Sequence, residues 1–278
     1  MNFTNEQIER YSRQIILPNV GGKGQEKLLK AKVLIIGTGG LGAPCSFYLA
    51  AAGVGRIGLV DSDKVELNNL QRQIVHTTDD IGIPKTESGK KRLIALNPEV
   101  KVITHPLRLD STNILGIIKD YDIIVDGSDN FPTRYLVNDA CVLSKKPFVH
   151  AGIFRYDGQI MTILPKEGPC YRCLFSEPPP PGAVPSCQEA GILGAVAGIL
   201  GVLQASEALK LILDIGEPLV GKLLIFNALD SSFRTVKVPK DKDCPVCSEH
   251  PKITKLIDYQ EFCQLRAKRA VDPERPAC

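Results

Sequence analysis

Two periods of apolar and polar residues run through the first half of the chain. Short, nearly unbroken apolar runs predict buried strands: "KVLIIG" (32–37), "RIGLVD" (56–61), "KVITHPL" (101–107), "YDIIVD" (121–126) and "PFVHAG" (147–152). Between them, "APCSFYLAAAG" (43–53), "SGKKRLIAL" (88–96), "STNILGIIK" (111–119) and "FPTRYLVNDACVLSK" (131–145) predict helices. Parallel strands need a crossover connection, so this alternation predicts a Rossmann-like, doubly wound α/β fold with a mostly parallel sheet. A segment of helical composition, residues 1–30, precedes the first strand and ends in the glycine-rich "NVGGKGQEKLLK".

Past about residue 150 the pattern changes. "GQIMTILP" (158–165) and "KLLIFNALDSSFRTVKVP" (222–239) predict antiparallel strands that extend the sheet, on either side of a long helix at about 190–214. The prolines of "FSEPPPPGAVPSC" forbid a helix or central strand and predict an exposed loop. The chain thus divides into residues 1–30, a nucleotide-binding domain at 31–250, and a polar tail at 251–278 with one amphipathic piece, "LIDYQEFCQLRAK".

Composition narrows the class. At 278 residues, 44% hydrophobic and 23% charged, the chain can bury a substantial core. A net charge of +3 is too weak to imply a nucleic-acid or membrane partner. The apolar run Ala190–Ala205 is glycine-rich, contains Gln204 and is shorter than the roughly 20 residues of a membrane span, so it predicts a buried helix. The polar start "MNFTNEQIERYSRQ" does not resemble a signal peptide, which predicts a reducing, cytoplasmic setting. There, nine cysteines favour thiol or metal chemistry over disulfides.

The candidate chemistry starts at "GTGGLG". Gly37, Gly39 and Gly42 have the G-x-G-x-x-G spacing between a strand and a helix, with Gly40 inside it. Such glycines let the backbone turn tightly toward phosphate at a helix N-terminus. Asp61 ends the next strand nineteen residues past Gly42, where a carboxylate can take ribose hydroxyls. The competing reading keeps the glycines only for helix–strand packing.

The following stretch, "DSDKVELNNLQRQIVHTTDDIGIPK", selects the nucleotide. Hydride transfer to nicotinamide does not require several cations at the phosphates. ATP cleavage requires cations near the α-phosphate and an acid for Mg²⁺. Arg72, Lys85, the polar Asn68, Asn69 and Gln71, and Asp129 in "VDGSDN" supply that set. Leu70 and Asn130 lie within the same two stretches and complete it. Each residue alone has a plainer reading, as a solvated loop charge or a helix cap. Together they predict ATP, not NAD.

"RYSRQIILPNVG", "GTGGLG", "DSDKVELNNLQRQIVH", "IGIPK", "DGSDNFPTRYLVND" and "CQEAGILG" closely resemble the ubiquitin-activating-like adenylyltransferases. Among these, the likeness is to the bacterial enzymes that adenylate the sulfur carriers of molybdopterin and thiamine synthesis, and it covers roughly residues 5 to 250. The resemblance implies that the C-terminal carboxylate of a small β-grasp protein ending in Gly-Gly attacks the α-phosphate of ATP, giving an acyl-adenylate and pyrophosphate. It implies that Gly40, Asp61, Asn69, Arg72 and Lys85 contact ATP, that Asp129 binds Mg²⁺, and that Arg13 reaches the phosphates from the other subunit of a homodimer. A helix-surface charge is the alternative for Arg13. The terminal carboxylate, with a pKa of about 3.5, is already ionised and needs no general base. His76, His105, His150 and His250 are accordingly read as structural.

Two C-x-x-C pairs, Cys170/Cys173 and Cys244/Cys247, suit a four-thiolate zinc site that clips the second half of the chain together, and the family resemblance supports it. A pair of redox dithiols is the competing reading. Both pairs follow predicted strands, consistent with neighbouring strand ends. Cys45 and Cys141 read as buried, and Cys263 and Cys278 fall in the tail. Cys187 ends the proline-rich loop just before a helix start, where a thiol pKa can be depressed. Some members of the resembled family form a thioester or acyl-disulfide at this position. This gives an alternative function in protein conjugation or peptide modification, against a bystander role. Many relatives also carry a C-terminal sulfurtransferase domain; ending at "PERPAC", this chain is expected to rely on a separate sulfur donor.

Overall fold

The computed structural model describes residues 3–179 and 190–263. Five strands run parallel: β1 (Lys32–Ile36), β2 (Arg56–Val60), β3 (Lys101–His105), β4 (Ile123–Asp126) and β5 (Phe148–Phe154). Three more, β6 (Asp157–Ile163), β7 (Lys222–Asn227) and β8 (Ser232–Lys237), continue the same sheet antiparallel. The order across the sheet is β3-β2-β1-β4-β5-β6-β7-β8. This is the doubly wound sheet with an antiparallel extension that the patterning predicts.

Burial explains the unbroken apolar runs. In β1, Val33 and Ile35 enter one core cluster, while Leu34 and Ile36 enter another on the opposite face. A strand covered on both faces has no polar side to show, so period-2 alternation is absent. The first face is covered by α2 (Gly21–Lys30), α3 (Gly42–Ala51), α4 (Lys85–Leu96) and α8 (Gly194–Leu213), through Leu28, Leu49, Leu93 and Ala208. The second face is covered by α5 (Ile114–Ile118) and α6 (Phe131–Leu143), through Ile118 and Tyr135. A short helix, α7 (Tyr171–Leu174), joins the second cluster.

Several details depart from the patterning. The segment 1–30 is two helices, α1 (Asn5–Ile15) and α2, broken around Pro18. Thr4 caps α1 through a reciprocal box with Gln7. α4 begins at Lys85, three residues before the predicted start, because Pro84 is well suited to the position just outside a helix. α8 is 20 residues long and apolar enough to cross a membrane, so its length does not argue against a span as the shorter run did. It packs inside the fold instead, on α3, β5 and β6. Gln204 donates to the carbonyls of Asp126 and Val149, and Glu207 accepts from Thr162 and Leu219. β6 and β8, which precede the two cysteine pairs, are not neighbours; β7 lies between them. They point the same way, so both cysteine pairs still leave the same sheet edge.

Candidate active site

A cleft of about 530 Å³ opens at the carboxyl ends of β1, β2 and β4. The sheet reverses its winding between β1 and β4, and ligands of open α/β sheets bind at this switch point. Gly37, Gly39 and Gly40 line the cleft, and Gly42 begins α3 behind them. Gly37 has φ +86°, and a Cβ there would come within 2.9 Å of the Gly127 carbonyl. A Cβ on Gly42 would collide with the Gly37 carbonyl. The glycine spacing therefore serves both readings at once: the loop packs tightly against β4, and that packing presents its backbone to the cleft.

Asp61 lies at the cleft wall, just past the end of β2. One carboxylate oxygen accepts from the Thr38 amide at 2.8 Å, the other from the Asp63 amide at 2.9 Å. Each oxygen keeps a lone pair for a further donor such as a ribose hydroxyl. Burial pushes the Asp61 carboxyl above its usual range, and the nearby Lys85 charge opposes the shift.

The cations converge as expected. Arg72 lines the cleft with its stem beside Gly40, and its Nη1 donates to the Asn68 carbonyl at 3.1 Å. Lys85, at the first turn of α4, is buried in the cleft wall and pairs with Asp63 at 3.0 Å. Asp129 and Asn130 line the opposite side, where Asn130 caps α6 by accepting from the Thr133 amide.

Four predicted contacts, Asn68, Asn69, Leu70 and Gln71, are not among the lining residues. Asn69 is buried in a turn, where its amide oxygen accepts from the Glu66 amide and its side-chain nitrogen donates to Asn68. The 3₁₀ turn they build carries Arg72 to the cleft. Arg13 sits exposed in the last turn of α1 and does not line its own chain's cleft. Cys187 lies outside the described residues.

The sequence reading overlooked several cleft groups. Asp63, Gln73, Ser128 and Arg134 all line the cleft. Asp63 was legible, since it stands two residues from Asp61 in the quoted stretch. Arg134 was quoted within "DGSDNFPTRYLVND" without a role.

The histidines support these walls. His150 is fully buried and donates from Nδ1 to Asp126 at 2.8 Å, since a carboxylate only accepts. Burial would raise the Asp126 carboxyl, but hydrogen bonds from His150 and Ser128 outweigh it and hold the group below its usual range. Burial also pushes His150 down, so the pair is a neutral imidazole on a carboxylate. His76 spans Ser88 (2.8 Å) and the Thr38 carbonyl (3.0 Å), bracing the glycine loop from behind; burial lowers its pKa as well. His105 bonds the Tyr121 hydroxyl at 3.0 Å.

Away from the cleft, the sulfurs of Cys170, Cys173, Cys244 and Cys247 all lie within 4.8 Å of one another. Cys170–Cys244 is 3.6 Å and Cys173–Cys247 is 3.4 Å. Four thiolates around one zinc at about 2.3 Å would stand about 3.8 Å apart, so the cluster can hold a tetrahedral metal. The two residues inside the first pair anchor it. Arg172 makes a buried bidentate pair with Asp139, both bonds at 2.8 Å, and Tyr259 donates to the same carboxylate at 2.7 Å. Tyr171 stacks edge-on against His150, with ring centroids 4.7 Å apart. Among the other cysteines, Cys45 and Cys141 are buried as expected, and burial pushes the Cys263 thiol up to about 11.

The ThiF family model matches residues 11–246, which is most of the chain and includes both the cleft and the cysteine cluster. The chain belongs to the ThiF family. Among its relatives, "Sulfur carrier protein adenylyltransferase" of Thermus thermophilus is 54% identical over 96% of this chain and the whole of the relative. "SAMP-activating enzyme E1" of Haloferax volcanii is 49% identical over 93% of this chain and 96% of the relative. "Adenylyltransferase and sulfurtransferase MOCS3" of Aedes aegypti is 50% identical over 95% of this chain but only 61% of its own length. Among solved structures, E. coli MccB with ATP has a TM-score of 0.75 and 29% identity, covering 86% of this chain and 74% of MccB. Two of these relatives are named for adenylyl transfer, which implies that the family uses ATP, the nucleotide the cation set predicts.

Proposed function

We propose that this ThiF protein adenylates the C-terminal glycine carboxylate of a small ubiquitin-like sulfur-carrier protein. The carboxylate oxygen attacks the α-phosphorus of ATP, the bond from that phosphorus to the bridging oxygen breaks, and pyrophosphate leaves. The observation that carries this reading is the convergence of Arg72 and Lys85 on a cleft floored by the glycine loop. Two anions must meet there, and fixed cations offset both their repulsion and the charge that grows on the leaving phosphate. Asp61 orients the ribose, and no group in the cleft has to remove a proton from the nucleophile.

Asp129 would hold Mg²⁺. Its carboxylate lines the cleft, is exposed, and among the described residues has only the Asn130 side-chain amide as a hydrogen-bond donor, at 3.3 Å, which leaves oxygen lone pairs for a hard cation. The ion would supply charge neutralisation at the phosphates. The four-cysteine cluster suits zinc as a structural ion, because all four positions are thiolate and no open site remains for substrate. Exposed Arg13, which does not line its own chain's cleft, fits a homodimer in which it serves the partner's site. The reading also takes in a separate sulfur donor and a cytoplasmic setting.

The test is pyrophosphate exchange into ATP, run with and without a ubiquitin-like protein ending in Gly-Gly. Exchange that requires the carrier and its terminal glycine supports the proposal. Exchange indifferent to the carrier's terminus would refute it.

A further inference from the structure

We infer that Arg134, to which no role has been given so far, holds the terminal carboxylate of the incoming protein tail. This rests on the adenylation reading above. Arg134 projects from the first turn of α6 into the cleft, on the wall made by β4 and β5. Its guanidinium lies 5.3 Å over the Phe131 ring, and the hydroxyl of Tyr171 stands beside it. Among the described residues its one hydrogen bond to backbone is long, 3.4 Å from Nη2 to the Ser128 carbonyl. Its Nε is buried with no partner among the described residues. With no bond to give up at Nε, the guanidinium head can turn on its stem to meet an anion entering the cleft.

The cleft's cations divide by position. Arg72 lies against the glycine loop, and Lys85 is tied to Asp63 on the β2 side. Those two border the place where a loop of this kind takes phosphates. Arg134 stands across from them. On its side the cleft is also lined by Ile153 and Ile192. Ile192 in turn lines a second hollow of about 420 Å³, formed by Arg155, Tyr156 and residues 190–193. A peptide tail lying along that hollow passes Ile192 and meets Arg134 before it reaches the glycine loop. A planar guanidinium fits a carboxylate bidentately, and it can exchange its long bond to Ser128 for two short ones. That would bring the nucleophile up to the phosphate with its charge already offset.

The experiment compares wild type with Arg134→Gln and Arg134→Lys. For each, binding of ATP and of a Gly-Gly carrier is measured, the carrier once with a free C-terminal acid and once amidated. Arg134→Gln is expected to weaken binding of the acid form by about ten- to a hundredfold and to abolish the preference for acid over amide, with ATP affinity within about twofold of wild type. Arg134→Lys should recover part of the preference. If Arg134→Gln does not fold, as its melting would reveal, the lysine variant carries the comparison, because it keeps the charge and loses the fork. An unchanged preference in folded Arg134→Gln, or in Arg134→Lys where the glutamine variant does not fold, or a loss confined to ATP, overturns the assignment. A wild type without carrier-dependent exchange points instead to failure of the adenylation reading itself.

Discussion

The cleft separates residues whose loss should remove chemistry from those whose loss should remove structure. Arg72 is partly exposed and makes one backbone bond, so Arg72→Ala should abolish pyrophosphate exchange while shifting stability by no more than about 1 kcal/mol. Exchange and thermal melting, measured together, check it. His76, His105 and His150 are all held below the usual histidine value of 6.5 by burial. Their stabilising contribution is present in full above pH 6.5 and falls as the pH drops below it, because the unfolded chain then binds protons the folded one refuses. Melting temperature should therefore decline from pH 7 toward pH 5, and His150→Gln should flatten part of that slope. A pH-independent melting temperature across the window would contradict the burial argument. At this scale residue type and strand-end position led to Arg72, Lys85, Asp61 and Asp129, all of which line the cleft. Asn68 to Gln71 do not line it, and an asparagine that caps a turn and one that faces a cleft look the same in one dimension.

The glycine loop and the cysteine clip are the two elements whose geometry can be broken by one atom or one ligand. Gly42→Ala should distort the loop itself, because the new Cβ meets the Gly37 carbonyl. The expected cost is several kcal/mol, roughly 2–4, with loss of nucleotide binding. Chemical denaturation and nucleotide titration measure the two effects. If the cluster holds zinc as proposed, Cys173→Ser should lower metal content and melting temperature, and metal analysis of the purified variant reads this directly; unchanged stoichiometry would argue against a four-thiolate site. The strand and helix sequence was readable because four of the five parallel strands, β1, β2, β4 and β5, are covered on both faces and write continuous apolar runs. The break at Pro18 inside the N-terminal helical segment was visible as a proline but not used. The partnership of β6 and β8 across β7 was beyond reach, since strand order is a long-range fact that no local pattern records.

Over the whole molecule, the sheet brings groups from residue 37 to residue 134 to one edge, while Arg13 stays outside. If Arg13 completes the partner's cleft, Arg13→Ala and Arg72→Ala homodimers should each be inactive, yet mixing them with subunit exchange should restore about a quarter of wild-type activity. Half of the re-formed dimers would be mixed, each with one intact site. No recovery after verified exchange would place Arg13 on the surface only. The cleft's electrostatic character was legible from its motifs. The place of Arg134 in the cleft wall was not, because which residues of a helix face a cleft, and which of their N–H groups lack a partner among the described residues, is invisible until the fold is closed. The most direct test of the account is a structure with a non-hydrolysable ATP analogue bound. It should place the guanidinium of Arg72 and the ammonium of Lys85 about 3 Å from phosphate oxygens. Both groups pointing into bulk solvent, with the triphosphate held elsewhere, would contradict it.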